Sequence, residues 1–152
     1  MCFSTPYYPD ISIATENIIC YKLVQFKSLK SCVSAYAEFK YKFNTKYTLA
    51  DCSADKIHEV YSDHYSKGPV KRLTAIASTY DSKLWEINIG YHSYHSKTAC
   101  GRKEVIVQCI IPKGAKYATT GNLIVSDQII IQKYLMPTKQ KIKLFIKSLK
   151  TK

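Results

Sequence analysis

Glu104-Val-Ile-Val-Gln-Cys-Ile-Ile-Pro-Lys-Gly-Ala-Lys-Tyr117, a Gly121-Asn122 turn, and then Leu123-Ile-Val-Ser-Asp-Gln-Ile-Ile-Ile-Gln-Lys-Tyr134 form the stretch that decides the fold. Two runs rich in β-branched residues bracket a Pro-Lys-Gly corner, and short apolar runs bounded by turn residues read as buried strands. The strands are expected over about 104–112 and 123–132. Lys113, Lys116 and Tyr117 stand at the corner between them. A sheet core with a cationic, aromatic rim is the picture this stretch implies.

Upstream, Asn17 to Val24 concentrates β-branched residues and predicts a first buried strand, followed by a small, polar connection over 28–35. From Tyr36 to Leu49 the chain alternates: Phe39, Tyr41 and Phe43 fall on one face, Lys40 and Lys42 on the other. Period-two alternation is the mark of a half-exposed strand, and Asn44-Thr45 is its expected turn. The segment 51–67 is polar and ends at the Gly68-Pro69 break, and 71–80 fits either a short helix or a strand. Trp85, Ile87 and Ile89 alternate with Glu86 and Asn88 in a further strand that stops at Gly90.

After Pro137 the composition changes. Ile142, Phe145, Ile146 and Leu149 recur at i, i+3, i+4 and i+7 among lysines, which predicts an amphipathic helix with Thr138 as its cap and lysines at its negative end. Its structural reading is a helix docked on the sheet with a solvated lysine face. The alternative is an anionic partner or a membrane surface. The sequence therefore predicts an α+β fold: a loose N-terminal arm over 1–16, one β-rich domain of mainly antiparallel sheet with one or two short helices over 17–136, and a basic amphipathic C-terminal helix over 137–152. No internal repeat or heptad series is present, which excludes solenoids and coiled coils.

With 152 residues the chain is long enough to bury a core without metal or disulfide staples. Its 23 Lys and Arg against 11 Asp and Glu leave a net charge of +12, which attracts anions from a distance. Only Arg72 and Arg102 are arginines. Bidentate forks for reading bases are therefore scarce, and any nucleic-acid binding is expected to be non-specific. The cysteines at 2, 20, 32, 52, 100 and 109 form no C-x-x-C pair, and Cys20 and Cys109 lie in apolar runs. The opening residues lack the basic and apolar regions of a secretory signal, and no window reaches the roughly 18 apolar residues of a membrane span. A reduced, cytoplasmic protein is the expectation.

The best candidate site is Tyr91-His92-Ser93-Tyr94-His95-Ser96, which packs imidazoles, hydroxyls and phenols into one short segment at the end of a strand. Such side chains hydrogen-bond polar ligands while the rings stack, although the same residues also build an ordinary turn around a buried histidine. Lys113 and Lys116 can flank an anion while Tyr117 or a tyrosine of the 91–94 cluster stacks on a base. Arg102 is the expected phosphate partner and Lys22 a weaker candidate. His92-x-x-His95 has usable metal spacing but no cysteine or carboxylate nearby with family spacing, so no metal is expected. Glycine-rich phosphate cradles and the Gly-x-Ser-x-Gly elbow are absent, and with them the usual signatures of nucleotide hydrolases and serine hydrolases.

The succession Cys20-Tyr21-Lys22, Phe39-Lys40-Tyr41-Lys42-Phe43, Ile89-Gly90-Tyr91-His92-Ser93-Tyr94, Cys109-Ile-Ile-Pro-Lys-Gly-Ala-Lys-Tyr117 and Val125-Ser-Asp-Gln-Ile129 resembles a set of small proteins of gut bacteria and their phages that carry no assigned activity. The resemblance spans about 17–132 and implies one compact β-rich domain of phage-type origin. A more distant similarity is to the ADP-ribosyltransferase fold, whose last strands often carry a Pro-x-Gly-x-Lys-Tyr/Phe-like corner. This chain has Tyr21-Lys22 where that family has an arginine or histidine, His92-Ser93 at the middle strand, and Asp127-Gln128 in place of a glutamate near the final strand. What the similarity implies is nucleotide binding.

Together these readings predict a non-catalytic protein that binds and sequesters a nucleotide-like anionic ligand, with no cofactor. If phage-encoded, it acts in the host cytoplasm as a counter-defence protein that captures a host nucleotide signal. The rival readings are a divergent ADP-ribosyltransferase-like enzyme and a protein-binding or virion-associated module. Homo-oligomerisation is left open.

Overall fold

Strands account for most of what the computed structural model describes, namely residues 3–34, 39–51, 72–78, 81, 83–87, 89–97, 105–135 and 138–150. In chain order the strands are β1 (Phe3–Thr5), β2 (Ser12–Ile13), β3 (Ile18–Ser28), β4 (Ser31–Ser34), β5 (Lys40–Lys42), β6 (Lys46–Thr48), β7 (Ile76–Ala77), β8 (Trp85–Ile87), β9 (Tyr91–Tyr94), β10 (Val105–Ile111), β11 (Lys116–Thr120), β12 (Leu123–Ser126) and β13 (Gln128–Tyr134). A 3-10 turn, Leu49–Asp51, follows β6, and the helix α1 spans Thr138–Lys150. Every pairing among the described strands is antiparallel.

The large sheet runs β2-β11-β12-β9-β3-β10-β13-β6, and β4 and β5 branch from β3. Two of the three paths leaving β3 reconverge. One goes through β10 and β13 to β6, the other through β4 to β5, and the corner at Phe43–Thr45 joins β5 to β6. Backbone hydrogen bonds fasten that corner on both sides: Phe43 N–H donates to Lys30 O at 2.9 Å and Asn44 N–H to Ile131 O at 2.7 Å. Asn44 takes φ 59, a left-handed conformation that asparagine tolerates better than most residues. The sheet thus curls into a ring around Tyr41, Tyr91, Val107, Cys109, Ile129, Ile131 and Tyr134.

A second, three-stranded sheet, β1-β8-β7, covers the opposite face of β11 and β12. Phe3, Ile87, Ala118 and Val125 pack between the layers. Alternation along β12 makes this two-faced packing work, with Ile124 in the ring core and Val125 in the inter-sheet core. At Gly90 an added Cβ would lie 2.7 Å from Val125 Cγ2 and 2.8 Å from Leu73 Cδ2, and φ there is +146. Only glycine allows the chain to pass that close to β12 before β9 begins.

Several expectations are corrected. The opening residues are not a loose arm throughout, because Phe3 and Thr5 are fully buried and β1 pairs with β8. The first strand continues to Ser28 and turns through Leu29-Lys30 into β4, so 28–34 is a hairpin rather than a connection. The run expected as one strand over 123–132 is two, broken at Asp127. Asp127 Oδ1 accepts the Lys116 N–H at 2.9 Å while Asp127 N–H donates to Lys116 O at 3.0 Å, and this local exchange turns the chain from β12 to β13. Glu86 does not face solvent. It is buried and accepts the Ser78 hydroxyl at 2.7 Å.

The helix is where the i, i+3, i+4, i+7 spacing placed it, but its orientation differs from the docked expectation. It packs against β3, with Leu144 half-buried, while Ile142, Ile146 and Leu149 remain 48 %, 45 % and 55 % exposed. The polar segment 52–71 lies outside the described residues, as do Cys2, Cys52 and Cys100. Cys20, Cys32 and Cys109 are buried and free, and Cys20 faces Cys109 directly across β3 and β10.

Candidate functional site

The segment 91–94 is not a strand end. It is β9, an interior strand between β12 and β3, with Tyr91, His92 and Ser93 all buried. Tyr91 points into the ring core, where its hydroxyl donates to Thr48 O at 2.7 Å and its ring stands 6.1 Å from Phe39 and 6.2 Å from Tyr41. His92 points the other way, with Nε2 3.0 Å from Ile87 O and Nδ1 3.2 Å from Gly90 O. A neutral imidazole has one N–H for these two carbonyls, so the carbonyls favour the protonated ring. Burial outweighs them and, with the Lys22 ammonium nearby, pushes His92 down to about 4. His95, by contrast, is exposed, so the two histidines do not converge.

Lys22 is likewise enclosed. Its ammonium donates to His92 O at 2.6 Å and lies 5.9 Å from the centre of the Tyr41 ring. A buried cation is tolerable only when hydrogen-bonded and compensated, and here it ties β3 to β9 rather than facing a ligand. Its field also reaches the thiols. The Cys109 thiol lowers Cys20 against the opposing effect of burial, with smaller help from the Ser93 hydroxyl and the Lys22 ammonium, whereas burial pushes Cys32 up to about 12.

At the corner, Lys113 and Lys116 are exposed, and the backbone does the local work: Lys113 N–H donates to Asn17 Oδ1 and Lys116 N–H to Asp127 Oδ1, each at 2.9 Å. Tyr117 is half-buried against the ring core and Tyr94 half-buried at the far end of β9. Asp127, the residue in the place of a transferase glutamate, is committed to the strand break, and burial raises its carboxyl. Arg102 lies outside the described residues. None of the described residues singled out as site residues from the sequence lines a cavity formed wholly by described residues.

That cavity, about 370 Å³, opens where the two arms of the curled sheet meet. Leu29 and Lys30 come from the β3–β4 turn, Phe43 and Asn44 from the β5–β6 corner, and Gln132, Lys133 and Tyr134 from the end of β13. Lys30 and Lys133 are exposed at its rim, and Phe43 is a half-buried ring backed by Tyr134 at 4.9 Å. Tyr134 is anchored in turn, its hydroxyl donating to Ser31 O and its ring 5.2 Å from Phe26. Gln108 Nε2 donates to Gln132 Oε1 at 2.9 Å and so fixes which way that amide points. An aromatic wall, two ammonium groups and two side-chain amides are the parts that hold a flat ring bearing negative charge.

No local pattern marks these residues. Asn44 was legible as a turn, but Lys30 sat in a stretch expected to be a connection and Lys133 at the end of a core strand. Among the described residues no group of three His, Cys, Asp or Glu is placed to hold a metal, and no helix is long and apolar enough to cross a membrane. Comparison with known protein families, characterised proteins and solved structures finds no match for this chain.

Proposed function

We propose that this chain is a non-catalytic binding protein for a nucleotide-like anionic ligand, and that the ligand sits in the cavity between the β3–β4 turn, the β5–β6 corner and the end of β13. The observation that carries the proposal is the pairing of Lys30 and Lys133 with the Phe43–Tyr134 aromatic wall around about 370 Å³. Ligand pockets occupy roughly 300–1,000 Å³ and are frequent in the mouths of curled sheets, with a few polar groups fixing orientation. The ring of the ligand packs between Phe43 and Leu29, its polar edge meets Asn44 and Gln132, and its phosphate lies between the lysines. The net charge of +12 raises the local concentration of any such anion.

On this reading the ligand class expected from the sequence is retained and its seat is moved from Lys113, Lys116 and the 91–94 segment. The resemblance to phage and gut-bacterial proteins adds the role: in a host cytoplasm, holding a nucleotide signal would blunt the defence that depends on it. The basic, amphipathic character of α1 belongs to the same electrostatic design.

Calorimetric titration with linear and cyclic nucleotides at two salt concentrations tests this. At least one nucleotide is expected to bind, more weakly at the higher salt, and Lys30→Glu with Lys133→Glu is expected to weaken it more than about tenfold, each fully engaged charge being worth over 1 kcal/mol. A flat trace across the panel overturns the proposal. So does binding that is lost in Lys113→Glu/Lys116→Glu and unchanged in the Lys30 and Lys133 variants.

A further inference from the structure

We infer that α1 is a membrane-surface helix, lying with its outward apolar stripe in the headgroup region of an anionic lipid bilayer. Ile142, Ile146 and Leu149, one above another along the helix, are each about half exposed, and Phe145 beside them is half-buried. Leu144, two positions on from Ile142 and so on the other side of the helix, is half-buried, and the helix as a whole packs on β3. The stripe is therefore not the surface the fold uses to hold the helix. Lys139, Lys143, Lys147 and Lys150 are exposed around it, and the helix contains no carboxylate.

Charge and shape choose the occupant. A second copy of this helix would bring two lysine-rich surfaces together, which repel. A nucleic-acid backbone would neutralise the lysines but would leave the isoleucines in water. A protein groove takes an amphipathic helix by its apolar face, and to suit this one it must also be lined with carboxylates to meet the surrounding lysines, an occupant that the test below separates from lipid. A flat anionic interface satisfies both features at once, taking the apolar stripe into the boundary of headgroups and acyl chains while lysines meet phosphate and carboxylate headgroups.

The full chain is sedimented with vesicles of phosphatidylcholine alone and of phosphatidylcholine with phosphatidylserine, at low and at physiological salt. Partitioning onto the anionic vesicles is expected to exceed that onto the neutral ones at least tenfold and to fall with salt. Replacing Lys143 and Lys147 with Gln should reduce it about 25-fold, at about fivefold per surface lysine. Ile142→Gln/Ile146→Gln/Leu149→Gln should reduce it at least tenfold while thermal unfolding, read by circular dichroism, stays unchanged, because these side chains are already largely in water. Equal partitioning onto both vesicles, no partitioning, or full partitioning by the triple variant overturns the inference. Stripe-dependent binding of an acidic peptide or a nucleic-acid duplex in preference to the anionic vesicles also overturns it. Nucleotide titration of the triple variant keeps this result separate from the cavity.

Discussion

The β9 strand and the end of β13 carry similar chemistry and meet opposite fates. Tyr91-His92-Ser93-Tyr94 has more functional groups per residue than any neighbouring stretch, yet three of the four are sealed inside the molecule. Gln132-Lys133-Tyr134 looks like the tail of a core strand, yet it borders the cavity with Lys30 and Phe43. The difference is position. An interior strand has neighbours on both edges and packed layers on both faces, so its polar side chains must find partners inside. A strand end where two arms of a sheet converge leaves a gap that the lysines and amides can face.

The sharpest way to break this comparison is Tyr91→Ala. Tyr91 is 1 % exposed and packed among Phe39 and Tyr41, so its truncation should cost about 3–5 kcal/mol in urea unfolding. Lys133→Ala should cost less than about 0.5 kcal/mol in the same assay. If Tyr91→Ala is as mild as Lys133→Ala, β9 is not core.

Next in size is a pH effect. His92 has a folded value of about 4 against the usual 6.5, so between these values the unfolded chain binds a proton that the folded chain does not. Stability is therefore full above about pH 6.5 and is lost as pH falls toward 4, by about 3 kcal/mol, at about 1.4 kcal/mol per unit. His92→Gln should flatten that slope, and an unchanged slope would place the titrating group elsewhere.

The smallest expected effect is at Ser93. Its hydroxyl is buried, and the Cys20 thiol, a weak partner, is what it meets there. Ser93→Ala should leave stability within about 1 kcal/mol of the native chain, on the more stable side. A larger loss would mean that the hydroxyl has a stronger partner than the Cys20 thiol and that β9 is a polar site after all.

Much of the architecture is written locally. The β-branched runs at 18–24, 105–111 and 123–134, the alternation of Tyr41 with Lys40 and Lys42, and the i, i+3, i+4, i+7 spacing after Pro137 each follow from backbone period and side-chain shape. Local pattern is weaker on boundaries. It read β12 and β13 as one run because Asp127 breaks them by bonding to Lys116, a residue eleven positions earlier.

The amino-acid order on its own established the longest strands, the cationic and tyrosine-rich character and the terminal helix, since these depend on periods of two and 3.6 residues and on summed charge. The folded chain alone established which strand is interior, which face of α1 looks outward and where a cavity opens. A residue's period says which face it occupies but not which element covers that face. The cavity draws on residues 29–30, 43–44 and 132–134, which no local pattern connects and which only the closure of β3, β4, β5, β6, β10 and β13 brings together.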